Sequence, residues 1–242
     1  MSSRLQAMRI FLLGLSLCAV EVTCYSQPPP TFAQSLQQHH IELTEEALLQ
    51  ALHNPEKEIR SLAASELAEM KVGAALPEIL RATQDEKDPQ TQVNLAAAAT
   101  WLGSEEGLKT LIGICRNQAA SPFVRIAAAR YVFDKQDHSC FPALVELMRP
   151  SAGRARIGAL SLASQIKPKT EQELQIVVAS ALDALRDPEL GIRFQACEAL
   201  RWINDPSAIP PLRKAIDDEQ DEVVRQQMKY SLTYLETEHP QP

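Results

Sequence analysis

Residues 54–70 read NPEKEIRSLAASELAEM, and residues 187–203 read DPELGIRFQACEALRWI. Laid over one another they place Pro55 on Pro188, Ile59-Arg60 on Ile192-Arg193, Ala63 on Ala196 and Leu67 on Leu200. Each stretch opens on a turn pair. The residue before a proline avoids the helical region, so a preceding helix stops there, and Asn or Asp at that point can cap the helix that follows. The apolar residues then recur at intervals of four, which marks one face of a helix. The small residue in the middle of that face lets a neighbouring helix approach closely.

The same pattern runs through residues 42–236. A branched apolar residue followed by arginine recurs as Ile59-Arg60, Val124-Arg125, Ile192-Arg193 and Val224-Arg225, with Val93-Asn94 and Ala155-Arg156 as degenerate copies. From the second residue of each pair the spacings are 34, 31, 31, 37 and 32. Repetition at this period signifies stacked supersecondary units. With the branched residue as position zero, position four holds Ala63, Ala97, Ala128, Ala159, Ala196 and Met228. Position eight holds Leu67, Trp101, Val132, Ala163, Leu200 and Leu232. An amphipathic segment with early proline precedes several of these helices, as at Leu76-Pro77, Phe141-Pro142 and Ile209-Pro210-Pro211, and proline is tolerated in a first helical turn. Asp88-Pro89 and Ser121-Pro122 supply further turns. Each unit therefore reads helix, turn, helix, and the chain reads all-α with about six units.

These residues resemble HEAT repeats, particularly the bacterial HEAT-like variety also found in phycobilin lyases. That pattern has proline early in the first helix, Asp-Pro in the turn, and Val-Arg with alanines in the second helix. Asn94 in place of arginine and Ala155 in place of the branched residue depart from it. The resemblance implies a right-handed α-solenoid (α-α superhelix), in which the position-one arginines meet acidic turn residues of adjacent units and the second helices line the concave face. Such an armadillo-like stack buries a continuous core between neighbours and needs polar ends. Position five runs Ala64, Ala98, Ala129, Leu160, Cys197 and Lys229, so Lys229 is expected to face solvent on the last helix.

Position two points away from the face of positions zero, four and eight. It holds Ser61, Leu95, Ile126, Ile157, Phe194 and Gln226. An apolar row with polar edges is the composition of a protein-binding groove, if exposed. Leu95, Ile126, Ile157 and Phe194, with Arg130, Phe133 and Trp202 nearby, are the expected partner contacts, aromatics and arginine being frequent hot-spot residues. The competing reading packs position two between adjacent second helices.

The 242 residues carry 24 Lys and Arg against 31 Asp and Glu, a net charge of −7. This balance opposes binding to nucleic acid, whose phosphates require a cationic surface, and to anionic lipid. Residues 1–26 combine Arg4 and Arg9 with an apolar run from Ile10 to Val20, too short to span a membrane. This is the pattern of a cleaved signal peptide. Acylation at Cys24 as a lipoprotein is the weaker reading, because Glu21-Val22-Thr23 lacks the usual apolar approach. Removing Arg4, Arg9 and Glu21 leaves 22 cations and 30 anions, a net of −8. The expected organisation is a signal peptide at 1–26, a Pro/Gln-rich linker at 27–41, repeats at 42–238 and a tail at 239–242, in a protein exported to a periplasm or beyond.

Cys115, Cys140 and Cys197 remain in the mature chain, and an odd count gives no disulfide framework. Cys115 aligns with Glu146 in the next unit at the local period. Cys140 then lies six residues away, roughly 9 Å along a helix, beyond disulfide reach. The two are expected to be unbonded. Cys197 is expected to sit in a contact between units. Neither a phosphate loop, a zinc-protease motif nor a nucleophile elbow occurs. His39-His40 reads as a solvated pair, and Asp217, Asp218, Glu219, Asp221 and Glu222 as an acidic turn. No cofactor and no metal are expected. The sequence thus points to a non-catalytic interaction module, a scaffold or envelope subunit that binds a protein. A lyase or lyase-like chaperone of the phycobilin-lyase type is the alternative. A DNA-binding HEAT-like glycosylase is opposed by the charge and the leader.

Overall fold

The computed structural model describes residues 30–240, and every regular element among them is a helix. The segment read as a signal peptide, with Cys24, lies outside the described residues. A first short helix, α1 (Phe32–Gln38), is followed by six pairs. These are α2 (Glu45–Ala51) with α3 (Lys57–Glu69), α4 (Leu76–Asp85) with α5 (Pro89–Trp101), and α6 (Glu105–Arg116) with α7 (Pro122–Asp134). Then come α8 (Phe141–Leu147) with α9 (Ala155–Ala163), α10 (Glu171–Ala184) with α11 (Leu190–Ile203), and α12 (Ile209–Asp218) with α13 (Glu222–Glu238). The second helix of each pair packs on the next, α3 on α5, then α7, α9, α11 and α13 in turn. First helices rest against them, α6 touching both α5 and α7.

The repeat positions explain this packing. All six residues at position four are buried, as are Ile59, Val93, Ala155, Ile192 and Val224 at position zero. Position five is buried from Ala64 to Cys197, while Lys229 on α13, the last described helix, is exposed. Small side chains set the helix separation. A Cβ on Gly107 of α6 would come within 2.8 Å of the Ala96 carbonyl oxygen of α5, so glycine is required there. Trp101 departs from the position-eight pattern. At the last residue of α5 it is half exposed and meets Tyr131 edge-on, with ring centroids 5.9 Å apart.

Part of the segment read as a linker is folded. Thr31 and Gln34 form a reciprocal capping box that starts α1, and Leu36 is fully buried where α1 packs on α3. The prolines and glutamines hid a single apolar anchor. The turns also differ from one another. Asp88 and Ser121 cap α5 and α7 directly. Asn54 and Asp187 instead accept the backbone N–H two residues on, at 2.9 and 3.0 Å, and their helices begin later.

The expectation that Cys115 and Cys140 are unbonded is overturned. They form a disulfide with Cα atoms 6.1 Å apart. That expectation assumed successive first helices stacked in register. In fact α8 has 7 residues against 12 in α6, Cys140 is its N-cap, and Arg116 Nε donates to the Ser139 carbonyl at 2.9 Å. The start of α8 therefore lies at the end of α6, and the rise along an ideal helix does not apply.

The position-one arginines tie units together. Arg60 makes a bidentate pair with Glu86 at 2.7 and 2.9 Å while its Nη1 donates to the carbonyls of Asn54 and Pro55. Arg193 repeats this with Glu219 at 2.7 and 3.0 Å and the carbonyls of Asp187 and Pro188. The guanidinium hydrogen bonds hold Glu86 and Glu219 below the usual carboxylate range. Where arginine is missing, Asn94 donates to Ser61 Oγ at 3.2 Å instead.

Asp88 joins both devices. Its Oδ1 accepts from Thr91 N at 2.9 Å and its Oδ2 from Lys57 Nζ at 3.0 Å. The Thr91 N–H, then Lys57, lower its pKa to about 2. A depressed folded-state pKa gives stability that is complete above about pH 4, the unfolded value. That stability is lost as pH falls through the folded value. Urea midpoints measured between pH 5 and 2 should fall less steeply for Asp88→Asn than for the wild type. Equal slopes would show that Asp88 contributes nothing to acid sensitivity. Asp88→Ala should lose about 1 kcal/mol at neutral pH through the missing cap.

Candidate functional site

The apolar row at position two does not form an open groove. Leu95 is fully buried and Ile126 is 7% exposed, while Ile157 and Phe194 are half-buried. The Ile126 Cδ1 methyl lies 3.4 Å from where a Cβ on Gly158 would stand, and Ile157 Cδ1 holds the same relation to Gly191. These side chains fill the seams α7–α9 and α9–α11. A helix inside a stack has a neighbour on each side, so the face opposite position zero is also covered. Only the terminal Gln226 of this series is exposed.

Trp202, by contrast, is 63% exposed and belongs to a cluster on α11 and α13. The Arg201 guanidinium carbon lies 4.6 Å from the Trp202 ring centroid, 5.5 Å from Tyr230 and 5.7 Å from Tyr234. A guanidinium within about 6 Å of an aromatic face is attracted by the ring quadrupole. Arg201 Nη2 donates to Glu198 Oε2 at 2.8 Å, and Glu198 in turn accepts from Gln227 of α13. The bond to Glu198 raises the Arg201 pKa further. Its Nε is buried with no hydrogen-bond partner among the described residues. The cation is thus neutralised and fixed below, while Trp202 and Tyr230 remain open above. Trp202 and Tyr234 both stand ten residues beyond position zero in consecutive units, with Tyr230 one turn earlier. That spacing was present in the sequence, although only Trp202 was singled out from it.

Arg130 and Phe133 come together elsewhere. They line a cleft of about 580 Å³ with Asp134, His138, Leu162, Gln165, Ile166, Lys167 and Lys169, among others. His138 is edge-on to Phe133 with centroids 5.3 Å apart, and its Nδ1 lies 3.0 Å from Glu173 Oε2. The seven residues expected to share one groove therefore divide between buried seams, an aromatic surface and this cleft.

The remaining candidate groups have structural roles. Cys197 is buried, its Sγ donates to the Arg193 carbonyl at 3.1 Å, and burial pushes its thiol up to about 12. Within the acidic turn, Asp221 caps α13 and Glu219 takes Arg193. No group of three or more His, Cys, Asp or Glu among the described residues is placed to hold a metal ion. None of their helices is long and apolar enough to cross a membrane.

Comparison with known proteins finds the HEAT-repeat family model matching residues 45–132 and 142–233. No curated protein matches in sequence. Among solved structures, an engineered protein is 17% identical with a TM-score of 0.48, covering 79% of this chain and 96% of its own. Human deoxyhypusine hydroxylase in complex with glycerol is 18% identical with a TM-score of 0.38, covering 79% and 84%. The complex of CpcE and CpcF of phycocyanin lyase from Nostoc is 19% identical with a TM-score of 0.37, covering 80% and 95%. The paired helices, the arginine ties between units and the matched residues together place this chain in the family of HEAT-repeat proteins.

Proposed function

We propose that this chain is an exported, non-catalytic binding module that engages a protein partner through Arg201, Trp202, Tyr230 and Tyr234. The observation that carries the reading is the clustering of three aromatic rings about one fixed guanidinium, with Trp202 and Tyr230 more than half exposed. Tryptophan, tyrosine and arginine dominate binding energy at protein interfaces. Rings already held by a half-buried cation lose little freedom on association, which preserves affinity. The Cys115–Cys140 disulfide supports export, since structural disulfides persist in oxidising compartments. The leader-like composition of residues 1–26 supports it independently.

The test is crosslinking capture from native envelope and culture fractions, comparing the wild type with Trp202→Ala/Tyr230→Ala. One specific protein should be retained by the wild type, with affinity reduced at least about 30-fold in the variant, the loss expected of hot-spot residues. Both side chains are exposed, so the variant should keep its helical circular dichroism. Equal capture by both proteins would overturn the assignment. An absorbance shift on adding a bilin would move the chain to chromophore handling.

A further inference from the structure

The cleft around Arg130 and Phe133 differs in charge from two other clefts among the described residues. The one between α10 and α12 sets Arg186, Arg193 and Lys214 against Asp183, Asp187, Asp218 and Glu219. The one between α2 and α4 is lined by Glu45, Glu46, Glu78 and His53, with no lysine or arginine. Among its lining residues the Arg130 cleft carries Arg130, Lys167 and Lys169 against one carboxylate, Asp134, with Glu173 behind His138 and Asp137 near Lys169. None of those three cations makes an ion pair among the described residues. Arg130 spends one donor on Gln165 Oε1 at 3.2 Å, and a guanidinium has five. Among the residues that line the cleft this is an excess of positive charge, in a chain of net charge −7.

The cleft also has an apolar floor and a fixed rim. Phe133 and Leu162 are almost wholly buried beneath it and Ile166 is half-buried. Glu173 Oε2 accepts from Lys169 N at 2.7 Å and faces His138 Nδ1 at 3.0 Å, while Thr170 caps α10 by accepting from Glu173 N at 3.1 Å. Pro168 stands between the two lysines. The backbone of the lysine loop is therefore held in place before any ligand arrives. Cations near helix C-termini are often no more than partners of the helix dipole. Here they line an open cleft of about 580 Å³ with mixed polar and apolar walls, a volume within the small-ligand range of roughly 300–1,000 Å³.

We infer that this cleft binds a small organic anion whose carboxylate, sulfonate or phosphate meets Arg130, Lys167 and Lys169 while its apolar body rests on Phe133, Leu162 and Ile166. It is a different surface from the aromatic cluster on α11 and α13, so either assignment can fail alone.

Fluorescence titration of the full chain with anilinonaphthalene sulfonate tests this, alongside phenylnaphthylamine, the same rings without the sulfonate. The wild type should bind the sulfonate at one dominant site and the neutral analogue at least about tenfold more weakly, as charge pairing over an apolar floor requires. Lys167→Glu/Lys169→Glu should weaken sulfonate binding by about tenfold or more. Lys214→Glu/Lys229→Glu changes the net charge equally elsewhere and should leave the affinity within about twofold, since exposed charges beyond a Debye length are screened. Both pairs are exposed lysines without ion pairs among the described residues, so unchanged melting curves are expected. Three results would each overturn the inference: equal affinity for the two probes, equal loss in both double variants, or loss on Trp202→Ala.

Discussion

Arg156→Ala should destabilise the fold by about 3–5 kcal/mol, the usual consequence of stranding a buried charge. Arg156 is 1% exposed, the most deeply buried charged side chain described. Its Nε donates to the Met148 carbonyl at 2.7 Å, Nη1 to Asp187 Oδ2 at 2.6 Å and Nη2 to Asp183 Oδ2 at 2.7 Å. Removing it leaves the buried Asp187 carboxylate without a cation and a helix-end carbonyl without a donor. It also cuts the tie between the fourth and fifth units, where the repeat spacing is longest at 37 residues. Urea unfolding should show a lower midpoint at an unchanged slope, which identifies a stability change. Arg156→Met/Asp187→Asn should recover part of the loss, because that seam then contains no unpaired buried charge. A loss below about 1 kcal/mol, the value of a solvated pair, would show that water reaches Asp187.

Such ties were legible because they are local in the repeat: Arg60, Arg156 and Arg193 at position one each reach a carboxylate at the next unit's turn. Arg156 was legible only as a degenerate copy. Its unit lacks both the branched residue and the Asp-Pro turn, so burial stronger than that of Arg60 or Arg193 was hidden. Positions zero, four and five could be read directly, since a stack needs small or branched side chains there. Position two could not. A helical wheel shows that Ile126 and Ile157 point away from position zero, but whether that direction meets solvent or another helix depends on the neighbour. Gly158 and Gly191 were the available signal, small residues opposite large ones. The Arg201 cluster was half legible. Trp202 and Tyr234 share a register position, yet a central guanidinium 4.6–5.7 Å from three rings joins two helices and depends on their crossing.

Reducing the Cys115–Cys140 bond should lower stability by about 3 kcal/mol, the chain-entropy expectation for a loop of this size. The bonded residues are 25 apart and enclose the whole of α7. Freed of the bond, the unfolded chain gains conformations, while the folded chain keeps the Arg116–Ser139 and Arg125–Glu146 contacts beside it. The fold should therefore survive reduction with a melting temperature lower by about 6–12 °C, using the usual conversion for a chain of this length. Cys115→Ala/Cys140→Ala should behave like the reduced protein, with a further small loss because both sulfurs are buried. Cys197 supplies the internal control, since burial holds its thiol protonated and shielded. Alkylation of the native oxidised protein should leave it unmodified, and Cys197→Ala should keep the full sensitivity to reductant. Identical melting curves with and without reductant would mean the bond closes no costly loop. They would also remove the disulfide as support for export, leaving that proposal on the composition of residues 1–26 alone.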